Sequence, residues 1–222
     1  MKKFIASLMA TIGMSSASHA AEKIETVDIN KIRYTMPTVA ADAIDYVMPT
    51  KETFEGAPQF HEDEWAQLEF FSKNRLPEIQ KILKEYKAFE KANRTQHGWL
   101  KIYARKVART QSVLAGISPK KLSSDTAYKL LPAPILVTSS RPLGQVKNGF
   151  ALQLGENAEI YGLTSDDGIP VLGAHLAGAD DMLLSRAFAL LNSKYGLILV
   201  DWRQQFVIVS IAPDGNFDVW HP

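Results

Sequence analysis

From Pro134 to Trp220 the chain repeats one device, a short apolar run followed by a residue cluster that turns the backbone. Ile135-Leu136-Val137, Gly149 to Leu154, Glu159 to Leu163 and Ile169 to Leu172 are such runs, punctuated by Gly155-Glu156-Asn157 and Asp166-Asp167-Gly168. Gly, Asn and Asp at these places are the chemistry of tight hairpin turns. After one helical stretch the pattern resumes at Leu197 to Val200, Phe206 to Ile211 and Phe217 to Trp220, with Pro213-Asp214-Gly215 between the last two. Turns this short join antiparallel neighbours and leave no room for crossover helices. The expected fold class is therefore α+β: an antiparallel sheet of about five to seven strands over residues 134–220, packed with two or three helices.

Three stretches carry helical signals. Over 61–93, Glu62, Asp63 and Glu64 put negative charge at a helix start, and Trp65, Leu68 and Phe71 follow at helical spacing. Pro77 then starts a second segment, with Ile79, Ile82, Leu83, Tyr86 and Phe89 on one stripe. Over 123–131, Ser123-Ser124-Asp125 caps a short helix that stops before Pro132. Over 180–195, Asp180-Asp181 opens a helix that buries Leu184, Phe188 and Leu191 and ends at Gly196. Residues 98–108 fit either periodicity, and Trp99, Ile102 and Tyr103 favour a strand.

The first twenty residues read as an address. Met1-Lys2-Lys3 is basic, Phe4 to Met14 is apolar, and Ser18 and Ala20 are small residues before a cut after Ala20. That is the layout of a secretory signal peptide. The chain has no cysteine, which excludes a disulfide framework, a thiol enzyme and a lipid anchor at Ala21. A periplasmic or secreted location is expected, with no transmembrane segment. Residues 21–60 hold Pro37, Pro49 and Pro58 and read as an N-terminal arm, ahead of a single α+β domain over 61–222.

Catalytic signatures are weak. His61, His97, His175 and His221 stand far apart, with no zincin spacing, so no metal and no cofactor is expected. Ser118-Pro119-Lys120-Lys121 matches a Ser-x-x-Lys pattern, but Lys-Thr-Gly is absent and a helix-start turn explains it better. Ser139 or Ser140 with His175 and Asp180 or Asp166 is the one hydrolytic set that can be assembled, and only geometry can decide it.

Charge is the stronger clue. The formal net charge is only +1, yet its distribution is segregated. Residues 21–90 hold fourteen acids and nine bases, residues 91–155 one acid and eleven bases, and residues 156–222 nine acids and three bases. A block of one sign marks either a partner surface or internal complementarity. The basic block interleaves Trp99 and Tyr103 with Arg105, Lys106, Arg109 and Arg141. Trp202-Arg203, between two strands, adds the residue types most common at binding hot spots.

These observations favour an exported macromolecule-binding protein, of inhibitor, immunity or envelope-accessory type. Its basic, aromatic face of Arg105, Lys106, Arg109, Trp99, Tyr103, Arg141, Trp202 and Arg203 would meet a protein or another anionic envelope partner. Nucleic acid is the least supported partner, since no recognition module is present. The alternatives are an envelope hydrolase of peptidoglycan, ester or glycan built on His175, and a structural protein that self-associates through sheet edges.

Overall fold

The computed structural model describes residues 34–212 and 214–222. The expected signal peptide, residues 21–33 of the arm, and Pro213 lie outside these residues.

Strands β1 (Thr38–Ala40), β2 (Tyr46–Val47) and β3 (Gln59–His61) open the described chain, with helix α1 (Lys51–Phe54) before β3. Strand β4 (Leu68–Ser72) and helix α2 (Leu76–Asn93) follow. Short strands β5 (Arg94–Thr95), β6 (Gly98–Trp99), β7 (Tyr103–Arg105) and β8 (Leu114–Ala115) lead to helix α3 (Pro119–Thr126) and strand β9 (Lys129–Leu131). The rest is β10 (Ile135–Val137), β11 (Pro142–Val146), β12 (Gly149–Gly155), β13 (Ala158–Ser165) and β14 (Gly168–Leu176), then α4 (Asp181–Tyr195). Strands β15 (Leu197–Asp201), β16 (Phe206–Ile211) and β17 (Phe217–Trp220) close the chain.

The fold is α+β, with a larger sheet than the five to seven strands expected. Nine strands join it, in the order β17-β16-β15-β4-β14-β13-β12-β9 with β8 beside β14. A second sheet, β2-β11-β10-β3, draws two strands from residues 46–61. The hairpins β12–β13 and β13–β14 turn at the Asn157 and Asp166-Asp167-Gly168 positions, as their turn chemistry dictates.

The expectation of helix over 61–93 is corrected for its first half. Residues 62–64 and 73–75 are single 3₁₀ turns, and Leu68–Ser72 is a central strand. The reason is two-sided burial: Phe70 packs on the α4 side and Phe71 on the α2 side. A strand covered on both faces shows a continuous apolar run rather than an alternation. Helix α2 carries Pro77 in its first turn, as expected.

The expected helix 123–131 is shifted. Helix α3 begins at Pro119, with the Ser118 hydroxyl capping Lys121 N, and Lys129–Leu131 is a strand. The Ser-x-x-Lys pattern is thus a helix start. Of residues 98–108, only Gly98–Trp99 and Tyr103–Arg105 form strand, and none is helix.

One face of the large sheet carries α4 over Phe70, Leu152, Ile160 and Leu172. The other face is shared. Helix α2 covers Ile198, Val200 and Trp202, and the four-stranded sheet covers Tyr161 and Val171. Between these two coverings lies Glu69, a carboxylate on the central strand with 1% exposure.

Candidate functional site

The buried Glu69 organises two of the expected binding arginines. Arg109 donates to Glu69 Oε1 and to both carboxylate oxygens of Asp42, at 3.2 and 2.5 Å for the Asp42 pair. Trp202 Nε1 donates to Glu69 Oε2 at 3.1 Å. Arg105 is 1% exposed and lies 5.0 Å above the Trp202 ring. It donates to Thr38 Oγ1 at 2.9 Å and to the carbonyl of Ala66 at 2.8 Å. Burial pushes the Arg105 guanidinium down to about 10, so it stays a cation at neutral pH.

This network fixes the corner that enters β4. Ala66 has φ of 53°, a left-handed conformation that costs a non-glycine residue about 1–2 kcal/mol. Its N–H donates to the Tyr161 hydroxyl at 2.6 Å and Arg105 takes its carbonyl. The Tyr161 ring reaches this point across Gly173, where a Cβ would stand 2.9 Å from the hydroxyl. Arg105 also holds the N-terminal segment, because β1 pairs in parallel with β7.

The expectation that Arg105 and Arg109 present a charged face is therefore corrected. Both turn inward, because Glu69, Asp42 and the Ala66 carbonyl require cationic donors there. Trp202 is likewise core, with 0% exposure. Its cationic neighbour is Arg105, not the adjacent Arg203, which pairs with Glu64 at 2.6 Å. Tyr103 stacks on Tyr86 at 5.1 Å and so belongs to the packing of α2. Trp99 is half-buried, its backbone N–H donating to the Tyr34 carbonyl at 3.2 Å. Lys106 and Arg141 are exposed.

The hydrolytic set does not assemble. Ser139 and Ser140 sit exposed in the β10–β11 turn, where Thr138 Oγ1 caps the backbone of Ser140 and Arg141. Asp180 caps α4 through Met182 N, and Asp166 lies exposed at a hairpin tip. His175 instead pairs with Glu159, Nδ1 to Oε1 at 2.7 Å, and stacks on Phe60 at 4.4 Å. Among the described residues no serine hydroxyl bonds to a histidine, and no group of three or more His, Asp or Glu is placed to hold a metal ion.

Two concavities among the described residues bear on a site. The smaller, about 360 Å³, is lined by Asp42, Tyr46, Glu62, Asp63 and Trp65 among others. Asp42 there is already taken by Arg109. Burial, with Glu62 adding to it, raises the Tyr46 hydroxyl above its ordinary value.

The larger, a groove of about 520 Å³, lies along β9. Val47, Thr53, Leu130, Leu131 and Pro132 line it together with the buried Val146 and Phe150. Gln145 ties its walls together, donating to the carbonyls of Thr53 and Ala133 at 2.8 and 2.9 Å. Lys147 lines it, and the exposed Lys120 and Lys129 adjoin the lining residues Pro119 and Leu130. Of its lining residues Val47 is 42% and Leu130 37% exposed, and Met48 at 89% and Phe54 at 52% are next in sequence to the lining residues Val47 and Thr53. Sequence reasoning missed this groove, although Lys120, Lys129 and Lys147 stand in the basic block it identified. The available signal was Leu130-Leu131-Pro132 bracketed by lysines.

Comparison with known proteins finds no matching family model, no matching curated relative and no matching solved structure.

Proposed function

We propose that this chain is an exported binding protein whose lysine-bordered groove receives an acidic protein partner. The observation that carries the reading is a groove lined by the exposed Val47, Leu130 and Lys147, with the exposed Met48, Phe54, Lys120 and Lys129 each next in sequence to a lining residue. Exposed apolar surface rimmed by charge is the ordinary anatomy of a docking site. An inhibitor, an immunity-type protein or an envelope-machine accessory would use such a site. The basic face is thereby moved from Arg105 and Arg109 to the lysines that remain at the surface.

The test is capture of a partner from envelope extract by wild type and by the triple variant Lys120→Glu, Lys129→Glu, Lys147→Glu. The same partner should be lost from the variant and released from wild type by salt. Equal capture by both proteins would overturn the reading. The hydrolase alternative rests on the His175–Glu159 pair alone. Ester or glycan hydrolysis by the purified protein, abolished in His175→Gln, would favour it.

A further inference from the structure

We propose that the acidic partner binds as an extended strand added to the outer edge of β9, with alternate side chains entering the groove. This rests on the reading above and specifies its geometry. Among the described residues strand β9 is terminal in the nine-stranded sheet and pairs only with β12. No described residue hydrogen-bonds to the backbone of Lys129–Leu131 from the other side. Strand β2, which gives Val47 to the lining, is likewise terminal in its own sheet and among the described residues pairs only with β11. Two strands that contribute to the groove lining, β9 and β2, are thus terminal in their sheets among the described residues.

Natural sheets blunt open edges with charge, and Lys129 alone would be read that way. Leu130 argues for a partner, since it leaves an exposed apolar side chain on the same three-residue edge. Met48 and Phe54, next in sequence to the lining residues Val47 and Thr53, are exposed as well. An added peptide strand satisfies the open N–H and C=O groups and sends alternate side chains to opposite sides. A lipid acyl chain fills the groove but offers no donors to the backbone, which favours a peptide. Charge complementarity sets its composition. Lys147 lines the groove, Lys120 and Lys129 are next in sequence to lining residues, and among the described residues only Asp45 pairs with any of them, 3.9 Å from Lys147 in a largely exposed pair. The fitting segment therefore alternates apolar and acidic residues.

The probe is a synthetic peptide of about eight residues alternating Val and Glu, with a Val/Lys counterpart as control. Binding is followed by amide hydrogen exchange and by fluorescence anisotropy on the full chain. The Val/Glu peptide should bind and slow exchange at Lys129–Leu131. The triple lysine reversal should weaken it about tenfold or more, with its melting temperature unchanged, and the Val/Lys peptide should not bind.

Binding without protection of the β9 amides overturns strand addition. So does capture of phosphatidylglycerol vesicles in place of the peptide. If neither probe binds but the lysine reversal still abolishes partner capture from extract, strand addition falls and the groove reading stands. If capture is also indifferent to the reversal, both fall.

Discussion

Two parts of one basic block have opposite fates. Arg105 and Arg109 lie against the centre of the large sheet, bound to Glu69, Asp42, Thr38 and Ala66. Lys120, Lys129 and Lys147 stay at the surface around an apolar groove. Guanidinium suits the inner role: it is planar, offers several fixed donors, stacks on indole and is weakly hydrated. Ammonium is strongly hydrated and remains outside on a flexible stem. A run of like charge is thus not one surface. Burial divides it into cations that hold the fold and cations available to a partner.

The comparison breaks most severely at Arg109. Arg109→Ala leaves the Glu69 carboxylate buried without its cation and should cost about 3–5 kcal/mol in urea unfolding. A cost near zero would return Arg109 to the surface class. Trp202→Phe keeps the aromatic platform beneath Arg105 but removes the N–H that serves Glu69. It should cost about 1–3 kcal/mol by the same measurement.

Asp125 lies between the extremes, as the sole acid of the block. Its carboxylate accepts from the Tyr195 hydroxyl at 2.6 Å and pairs with Lys121 at 2.9 Å and Lys194 at 3.0 Å. These contacts, the tyrosine bond first, hold it well below the usual carboxylate range. A depressed folded value gives stability that is present above the unfolded value of about 3.9 and lost as pH falls through the folded one. Asp125→Asn should therefore lower the melting temperature at neutral pH, and the gap to wild type should close in strong acid. A gap independent of pH would assign the effect to hydrogen-bond geometry instead of charge. Burial and then Asp125 push the Tyr195 hydroxyl up to about 12.

The smallest effect belongs to the groove. Reversing Lys120, Lys129 and Lys147 should each change stability by no more than about 0.5 kcal/mol, because they are exposed and not required by a buried acid. A larger loss would show that these lysines belong with the arginines.

What was legible in the sequence was local. The hairpins of 149–176 and the cap and stop of α4 rest on turn and cap residues that act on their immediate neighbours. Strand β4 was hidden, because Glu62, Asp63 and Glu64 imitate a helix start and Trp65, Leu68 and Phe71 imitate a helical stripe. Its pairing with β14 and β15 decides its state, and those strands stand far along the chain. The partner of Trp202 was hidden for a related reason: adjacency points to Arg203, whereas the ladder brings Arg105. The groove escaped notice because its walls come from separate segments around residues 47–53, 119, 130–133 and 145–150.

The position of β4 also sets an order of events. It is made early, yet its neighbours in the sheet are β14 and β15, the latter close to the end of the chain. Until both exist, Phe70 and Phe71 have no partners on the sheet. Pairing β4 with β14 and β15 closes long loops, and the entropy of that closure opposes the pairing. Whatever the chain meets before that moment encounters an apolar strand with both edges open. Phe70 and Phe71, buried in the finished fold, are apolar surface open to association for as long as those strands are absent.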